Sequence, residues 1–281
     1  MRLVNGFTLM KYAKENNLVL PAFNTTNYEL TLAIVQAFEH TGLGGYIQIS
    51  SNNLKLSNPE IIANMVSLIV KKENISVPIS LHLDHGKSFE DVKSCIDAGF
   101  TSIMFDASNL PLDENIAAVR RVVEYAHYFG IPVEAEIGGI KGKEDEEVST
   151  VDDKTKPEDV QYFVEQTKCD TVAVSIGNVH GLDLAPELDF ELLEEIERVT
   201  PVPLVLHGGS GIPFEQVRKA KSHNIIKINY GSQLRKSYIE TFGKAYEKNH
   251  NEFDFFSLGC QAVNNVTGTA KAIIQEINIR N

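Results

Sequence analysis

The stretch LHLDHG, Leu81–Gly86, puts an aspartate and two histidines within four positions, directly after a run that reads as a buried strand. Two further histidines share the setting of His85 in LDHG: His180 in NVHG and His207 in LHGG each stand just past a strand and just before a glycine. Three neutral imidazoles suit a borderline-soft divalent ion such as zinc. Because a structural site would fill all four positions, a set of three with the fourth open to substrate is catalytic in type. Asp106 and Glu136 end two more strands, and are open between salt-bridged structural residues and auxiliary metal roles. A lone inward histidine is more often a hydrogen-bonded core residue than a ligand, and His82 is read that way. His40, His127, His223 and His250 fall in helical or turn stretches, away from strand ends.

Eight β-branched runs must position these groups: 18–24, 46–50, 77–84, 102–107, 132–137, 171–177, 203–208 and 225–230. Between them lie amphipathic stretches with apolar residues three and four apart, several opening on Ser, Asp or Pro and closing on Gly as helix ends do. Unbroken alternation of strand and helix predicts one parallel-sheet domain over residues 1–281, and eight units predict a closed (β/α)8 TIM barrel with an extra helical segment beyond Asn249. An open doubly wound sheet is the alternative, weakened because no glycine-rich dinucleotide fingerprint follows the first strand. In a barrel the carboxyl ends of the strands share one face, which is where barrel enzymes do chemistry. Asn24, Ser50, Asp84, His85, Asp106, Glu136, His180, His207 and Asn229 all fall at or just after such ends. Residues 138–156, glycine-rich, charged and without apolar periodicity, read as a long mobile loop after the fifth strand; loops of that length are usually functional.

LHGGSGI (206–212) and NYGS (229–232) follow the seventh and eighth strands, where many barrels bind phosphate on backbone N–H groups at a helix start. The formal charge of −12 opposes binding to nucleic acid or anionic membranes, both of which need clustered Lys and Arg. No run approaches the roughly 20 apolar residues of a membrane span, and the first residues carry no apolar signal region. The three cysteines, Cys95, Cys169 and Cys260, are scattered without CxxC spacing, so neither disulfides nor a thiolate metal site is indicated and a cytoplasmic protein is expected.

Taken in order, PAFNTTN, LHLDHG, DAGFTSIMFDAS, VEAEIG, IGNVHG, LHGGSGI and KINYGSQLR, covering about Pro21 to Arg235, resemble the class II, zinc-dependent fructose-bisphosphate and tagatose-bisphosphate aldolases. The resemblance implies one catalytic zinc on His85, His180 and His207, Asp84 as the acid/base at the C4 hydroxyl, and carboxylates near the metal at Asp106 and Glu136, the latter also an alternative-site ligand. It implies that Glu144, on the long loop, exchanges the proton at C3 of dihydroxyacetone phosphate. Phosphate would lie against Gly181, Gly208, Gly209, Ser210, Gly211, Asn229, Gly231 and Ser232, with Asn24 and Ser50 also facing substrate and a second metal or monovalent cation possible. The implied reaction is reversible cleavage of a ketose (bis)phosphate to dihydroxyacetone phosphate and an aldehyde, in a homodimer or homotetramer. In it, zinc stabilises the enediolate left on the dihydroxyacetone phosphate half, and the loop closes to exclude water.

The chain departs from the family pattern at Lys141-Gly142, where a Gly-Gly pair is usual, at Asp183 in place of an aromatic residue, and at Gly231, where fructose-specific members have an acid. Its Glu252–Gly259 segment, EFDFFSLG, lacks the arginine that reaches a neighbouring subunit's site. These departures predict an altered aldehyde half, one that lacks a distal phosphate. A metal-dependent barrel hydrolase has no use for two phosphate-type turns, and a non-catalytic sugar-phosphate binding protein has none for two proton-transfer groups.

Overall fold

Eight parallel strands close into a barrel with helices outside it, as the alternation predicts. The structure is a computed structural model and describes residues 3–144, 147–149, 153–182 and 185–279, with 143, 144 and 147–149 described by backbone alone. The strands in chain order are β1 (Leu20–Asn24), β2 (Gly45–Ser50), β3 (Ile79–Gly86), β4 (Ser102–Phe105), β5 (Val133–Ile137), β6 (Gly142–Glu144), β7 (Glu147–Ser149), β8 (Thr171–Val174), β9 (Leu204–Leu206) and β10 (Ile225–Tyr230). The barrel runs β1-β10-β9-β8-β5-β4-β3-β2, and its seam closes where β1 pairs with β10 in the register Leu20↔Lys227 to Phe23↔Tyr230.

The helices are α1 (Gly6–Asn16), α2 (Tyr28–Thr41), α3 (Ser51–Leu54), α4 (Pro59–Lys72), α5 (Phe89–Ala98), α6 (Leu112–Tyr128), α7 (Pro157–Thr167), α8 (Phe190–Val199), α9 (Phe214–Ala220), α10 (Ser232–Lys248) and α11 (Phe255–Ile277). Local chemistry sets their ends. Asn27 caps α2 by accepting from Leu30 N, Ser88 and Asp91 form a reciprocal capping box on α5, and α4 and α7 each begin with proline. The barrel strands are buried along their whole length and read as apolar runs, as parallel strands covered by helices must. One large core lies between strands and helices, running from Val19 on the first strand's approach to Ile277 at the end of α11.

Three sequence expectations are corrected. Residues 138–156, expected as loop, contain the antiparallel hairpin β6–β7, and the excursion is pinned where it leaves the barrel: Gly139 N donates to Asp153 O (2.9 Å) and Thr155 Oγ1 to Ile137 O (2.7 Å). The run 171–177 leaves the ladder after Val174, because Ile176 N is taken by Asn178 Oδ1 (2.9 Å) and Gly177 turns left-handed (φ 97°). A helix the sequence reading did not assign, α1, precedes β1. The final segment is helical over Phe255–Ile277; α11 buries Ala262, Val266, Ala270, Ile273, Ile274 and Ile277, a three- and four-residue spacing. Among the described residues no helix is long and apolar enough to cross a membrane.

Candidate metal centre and phosphate turn

Neighbouring residues of a regular strand face opposite ways, yet Asp84 and His85 both serve the barrel mouth, with His85 Nε2 3.9 Å from Asp84 Oδ1. The reason is local. The β3–β4 register shifts between Leu83 and Gly86, and His85 takes a left-handed φ of 47°, uncommon for a residue with a Cβ, so the bulge turns both side chains to one side.

His85, His180 and His207 present ligand atoms all within 4.8 Å of one another, and His85, Asp106 and Glu136 form a second such group. Ring centroids lie 4.8 Å apart for His85–His207 and 6.0 Å for each of the other two pairs. All three rings are buried. Hydrogen bonds fix which nitrogen faces the group. His85 Nδ1 is 2.7 Å from Asp106 Oδ2 and His207 Nε2 is 3.0 Å from Glu134 Oε1, so each ring donates to a carboxylate and turns its other nitrogen inward. Inward-facing His207 Nδ1 and Glu136 Oε2 are buried and have no hydrogen-bond partner although 3.3 Å apart, which is the donor set a divalent cation would satisfy. The residues present therefore fit zinc.

Charge around the group is balanced by design of the pairs. Burial alone would raise Asp106, but His85 and Lys87, whose Nζ lies 2.8 Å away, hold its carboxyl well below the usual range. Burial alone would lower His207; the hydrogen bond to Glu134 and the nearby Glu136 carboxylate outweigh it and push the metal-free imidazole up to about 9. A metal ion bound at Nδ1 would replace a proton. Ser108 Oγ lies 2.7 Å from Asp106 Oδ1 and 3.1 Å from Glu136 Oε1, holding the two carboxylates together.

Asp84 is fully buried and receives three amide donors: Asn24 Nδ2 (2.8 Å) and Gln48 Nε2 (3.0 Å) on Oδ2, and Asn229 Nδ2 (3.1 Å) on Oδ1. Ser50 stands beside it, paired in register with Asp84 and accepting from Asn53 Nδ2 (2.9 Å). His82 is the core residue expected: buried, Nδ1 2.8 Å from Ser102 Oγ, and held well below the ordinary histidine range chiefly by burial.

A small cavity next to His180 is lined by Gly181, Gly208, Ser210, Asn229, Gly231, Ser232 and Arg235. Gly208 must be glycine: at φ 75° a Cβ would stand 2.2 Å from Val179 O. Gly209 and Gly211 build the turn rather than line the cavity, since their N–H groups are bonded to Asn229 O (2.9 Å) and Gly208 O (3.0 Å). The hairpin carrying Glu144 is rooted beside the same cavity, through His180 N donating to Lys141 O (2.8 Å) and a bridge between Gly142 and His180. The Glu144 side chain and Asp183 lie outside the described residues.

Sequence reasoning missed Gln48, Ser108, Glu134, Lys227 and Arg235. Gln48, Glu134 and Lys227 each stand two residues before a strand-end site residue and so share its face, a period-two signal that could have found them.

A family model described as "Fructose-bisphosphate aldolase class-II" matches residues 4–281. The fructose-bisphosphate aldolase of Staphylococcus aureus strain Mu50 is 40% identical over 235 residues, covering 83% of this chain and 82% of the relative. That of Geobacillus stearothermophilus is 37% identical over 256 residues, covering 90% and 89%. Among solved structures, the YdjI aldolase of Escherichia coli K12 superposes with a TM-score of 0.84 at 29% identity, covering 98% of this chain and 97% of that one. With a family model spanning nearly its whole length and relatives of this similarity, the chain belongs to the class II fructose-bisphosphate aldolase family.

Proposed function

We propose that this chain is a zinc-dependent aldehyde-lyase that reversibly cleaves a ketose phosphate to dihydroxyacetone phosphate and an aldehyde. The observation that carries the reading is the set of three buried imidazoles with ligand atoms within 4.8 Å of one another, next to a buried Asp84 held by three amide donors. His85, His180 and His207 would hold the zinc, with Asp106 and Glu136 beside it. When bound, the metal supplies positive charge to the substrate oxygens that become anionic as the C3–C4 bond breaks.

The protein's own groups handle the protons. In cleavage Asp84 takes the C4 hydroxyl proton as the C3–C4 electron pair stays with the donor half, and Glu144 returns a proton to C3; condensation reverses both transfers. Asn24, Gln48 and Asn229 hold the Asp84 carboxylate still for that transfer. The phosphate of the donor half would sit in the cavity beside His180, against Gly181, Gly208, Ser210, Gly231 and Ser232. The chain would work as one domain in the cytoplasm, in a homo-oligomer. Fructose- and tagatose-type substrates differ in configuration at C4. Glu252–Gly259 offers no arginine for a distal phosphate, which favours an aldehyde half that is not the usual triose phosphate.

The test is proton exchange at C3 of dihydroxyacetone phosphate in deuterated water, followed by NMR with zinc-loaded and chelator-treated protein. Zinc-dependent exchange that disappears in Glu144→Ala is expected. No exchange from fully loaded protein would overturn the reading.

A further inference from the structure

Below the mouth, one buried lysine touches both halves of the site. Lys227 on β10 is 2% exposed; its Nζ lies 2.9 Å from Glu134 Oε2, 3.2 Å from Glu134 Oε1 and 2.8 Å from Asn229 Oδ1. An ammonium has three protons to give and no lone pair, so each of these atoms must accept. Two consequences follow from donor and acceptor logic alone.

First, the Asn229 amide loses its freedom to flip. Because Lys227 can only donate, Oδ1 must face it, and the NH2 group is then forced toward Asp84 Oδ1, 3.1 Å away. In the flipped orientation two donors would oppose each other at one end and two acceptors at the other. Second, Lys227 anchors the Glu134 carboxylate against His207. The carboxylate accepts from His207 Nε2 at 3.0 Å, so that nitrogen carries the proton and Nδ1 is the one aimed at the metal group. Without the ammonium, a carboxylate 3% exposed in the barrel interior would lose the contact that fixes its position against His207. A lysine inside an aldolase barrel also invites comparison with a Schiff-base nucleophile, but here its three protons are committed to Glu134 and Asn229.

We infer that Lys227 is a positioning residue that sets the metal ligand His207, through Glu134, and the proton-transfer group Asp84, through Asn229, from a single ammonium. The inference rests on the metal reading proposed above and extends it to residues that touch neither metal nor substrate. A merely structural ion pair would stabilise the fold and leave ligand orientation unchanged.

Two measurements separate these roles. In the zinc-loaded wild type with 15N-labelled histidines, long-range 1H–15N correlations report which nitrogen of each ring is protonated. The expected pattern for His207 is Nε2 protonated and Nδ1 bound. In Lys227→Met/Glu134→Gln, which removes the ion pair without leaving a lone buried charge, zinc affinity measured by competition with a chromophoric chelator should fall about 10–100-fold. The visible absorption of the cobalt-loaded double variant should change as well. His207 bound through Nε2 in the wild type would overturn the inference, and this measurement needs no variant to fold. So would a double variant with wild-type zinc affinity and an unaltered cobalt spectrum. A wild type that retains no zinc would instead overturn the metal reading, and the inference with it, so the two failures are distinguishable.

Discussion

Replacing Gly142 by alanine should disconnect the β6–β7 hairpin from the metal site while leaving the barrel intact. Gly142 has φ +118°, where an L side chain is strained, and a Cβ built there would stand 2.1 Å from His180 O and 2.8 Å from His180 N. Those are backbone atoms of the residue that follows β8, and they have no side-chain freedom with which to yield. Holding alanine in such a conformation costs roughly 1–3 kcal/mol. Relieving the clash also breaks the His180 N to Lys141 O bond of 2.8 Å, about 1 kcal/mol net. Taking about 2.8 kcal/mol in all, the docked-to-undocked ratio of the hairpin falls about 100-fold, since each 1.4 kcal/mol is tenfold. Global stability should hardly change, because apart from the Gly142–His180 bridge the two hairpin strands pair with each other, and the barrel ladder does not run through them. The assay is C3 proton exchange on dihydroxyacetone phosphate alongside zinc content and thermal melting. Exchange should drop, by up to about 100-fold, with about one zinc retained. Wild-type exchange from Gly142→Ala would refute the argument that the hairpin must be rooted on His180 to bring Glu144 into play.

Asp84→Ala should keep its zinc yet lose cleavage by about 10²–10⁴-fold, as for a group acting in proton transfer; loss of metal together with activity would show that Asp84 serves the ligands instead. Stripping zinc with a chelator should lower the melting temperature: metal at 100 times its Kd contributes about 2.7 kcal/mol, roughly 5–10 °C for a chain of this size, and a melt unchanged by chelation would contradict a bound structural contribution. Asp189 caps α8 by accepting from Leu192 N (3.0 Å) and pairs with Lys154 (2.7 Å), so Asp189→Ala should cost about 1 kcal/mol in denaturant melts. The same contacts, the Lys154 hydrogen bond foremost, lower its carboxyl below the ordinary aspartate value of 3.8. Its contribution is therefore present above that value and is lost as pH falls through the lower folded one. The stability gap between wild type and Asp189→Asn should be constant near neutrality and shrink only below about pH 4.

Much of this molecule is legible in its residue order. The alternation of β-branched runs and helical periods gives the barrel, because a parallel strand covered on both faces must be apolar throughout and its crossover must be helical. The positions of His85, His180 and His207 beside glycine turns mark the mouth. What is not legible is everything that depends on contacts across the barrel. Glu134 shares the face of Glu136 by its place two residues before it, but its partner is hidden until β10 brings Lys227 within 2.9 Å, 93 positions away in sequence. Gly209 and Gly211 look like anion donors in LHGGSGI, and only the fold reveals that their amides are already taken by Asn229 O and Gly208 O. The hairpin within 138–156 escapes notice because its strands are three residues each and charged, too short for any periodicity to register.

The seam of the barrel has a bearing on how the chain is made. β1 needs β10, whose pairing residues stand more than two hundred positions later at Leu20↔Lys227, and the approach to β1 is tied by Asn278, whose side chain accepts from Val19 N (3.1 Å) and donates to Val19 O (3.0 Å) across 259 positions. During synthesis the first strand therefore waits with one unpaired edge until β10 has emerged, and α2 waits longer still for α11 to cover it. Closure is a late, long-range event, the kind that folds slowly and exposes sticky edges meanwhile. A nascent chain truncated before α11 should accordingly be a client for chaperones, with α2 left uncovered.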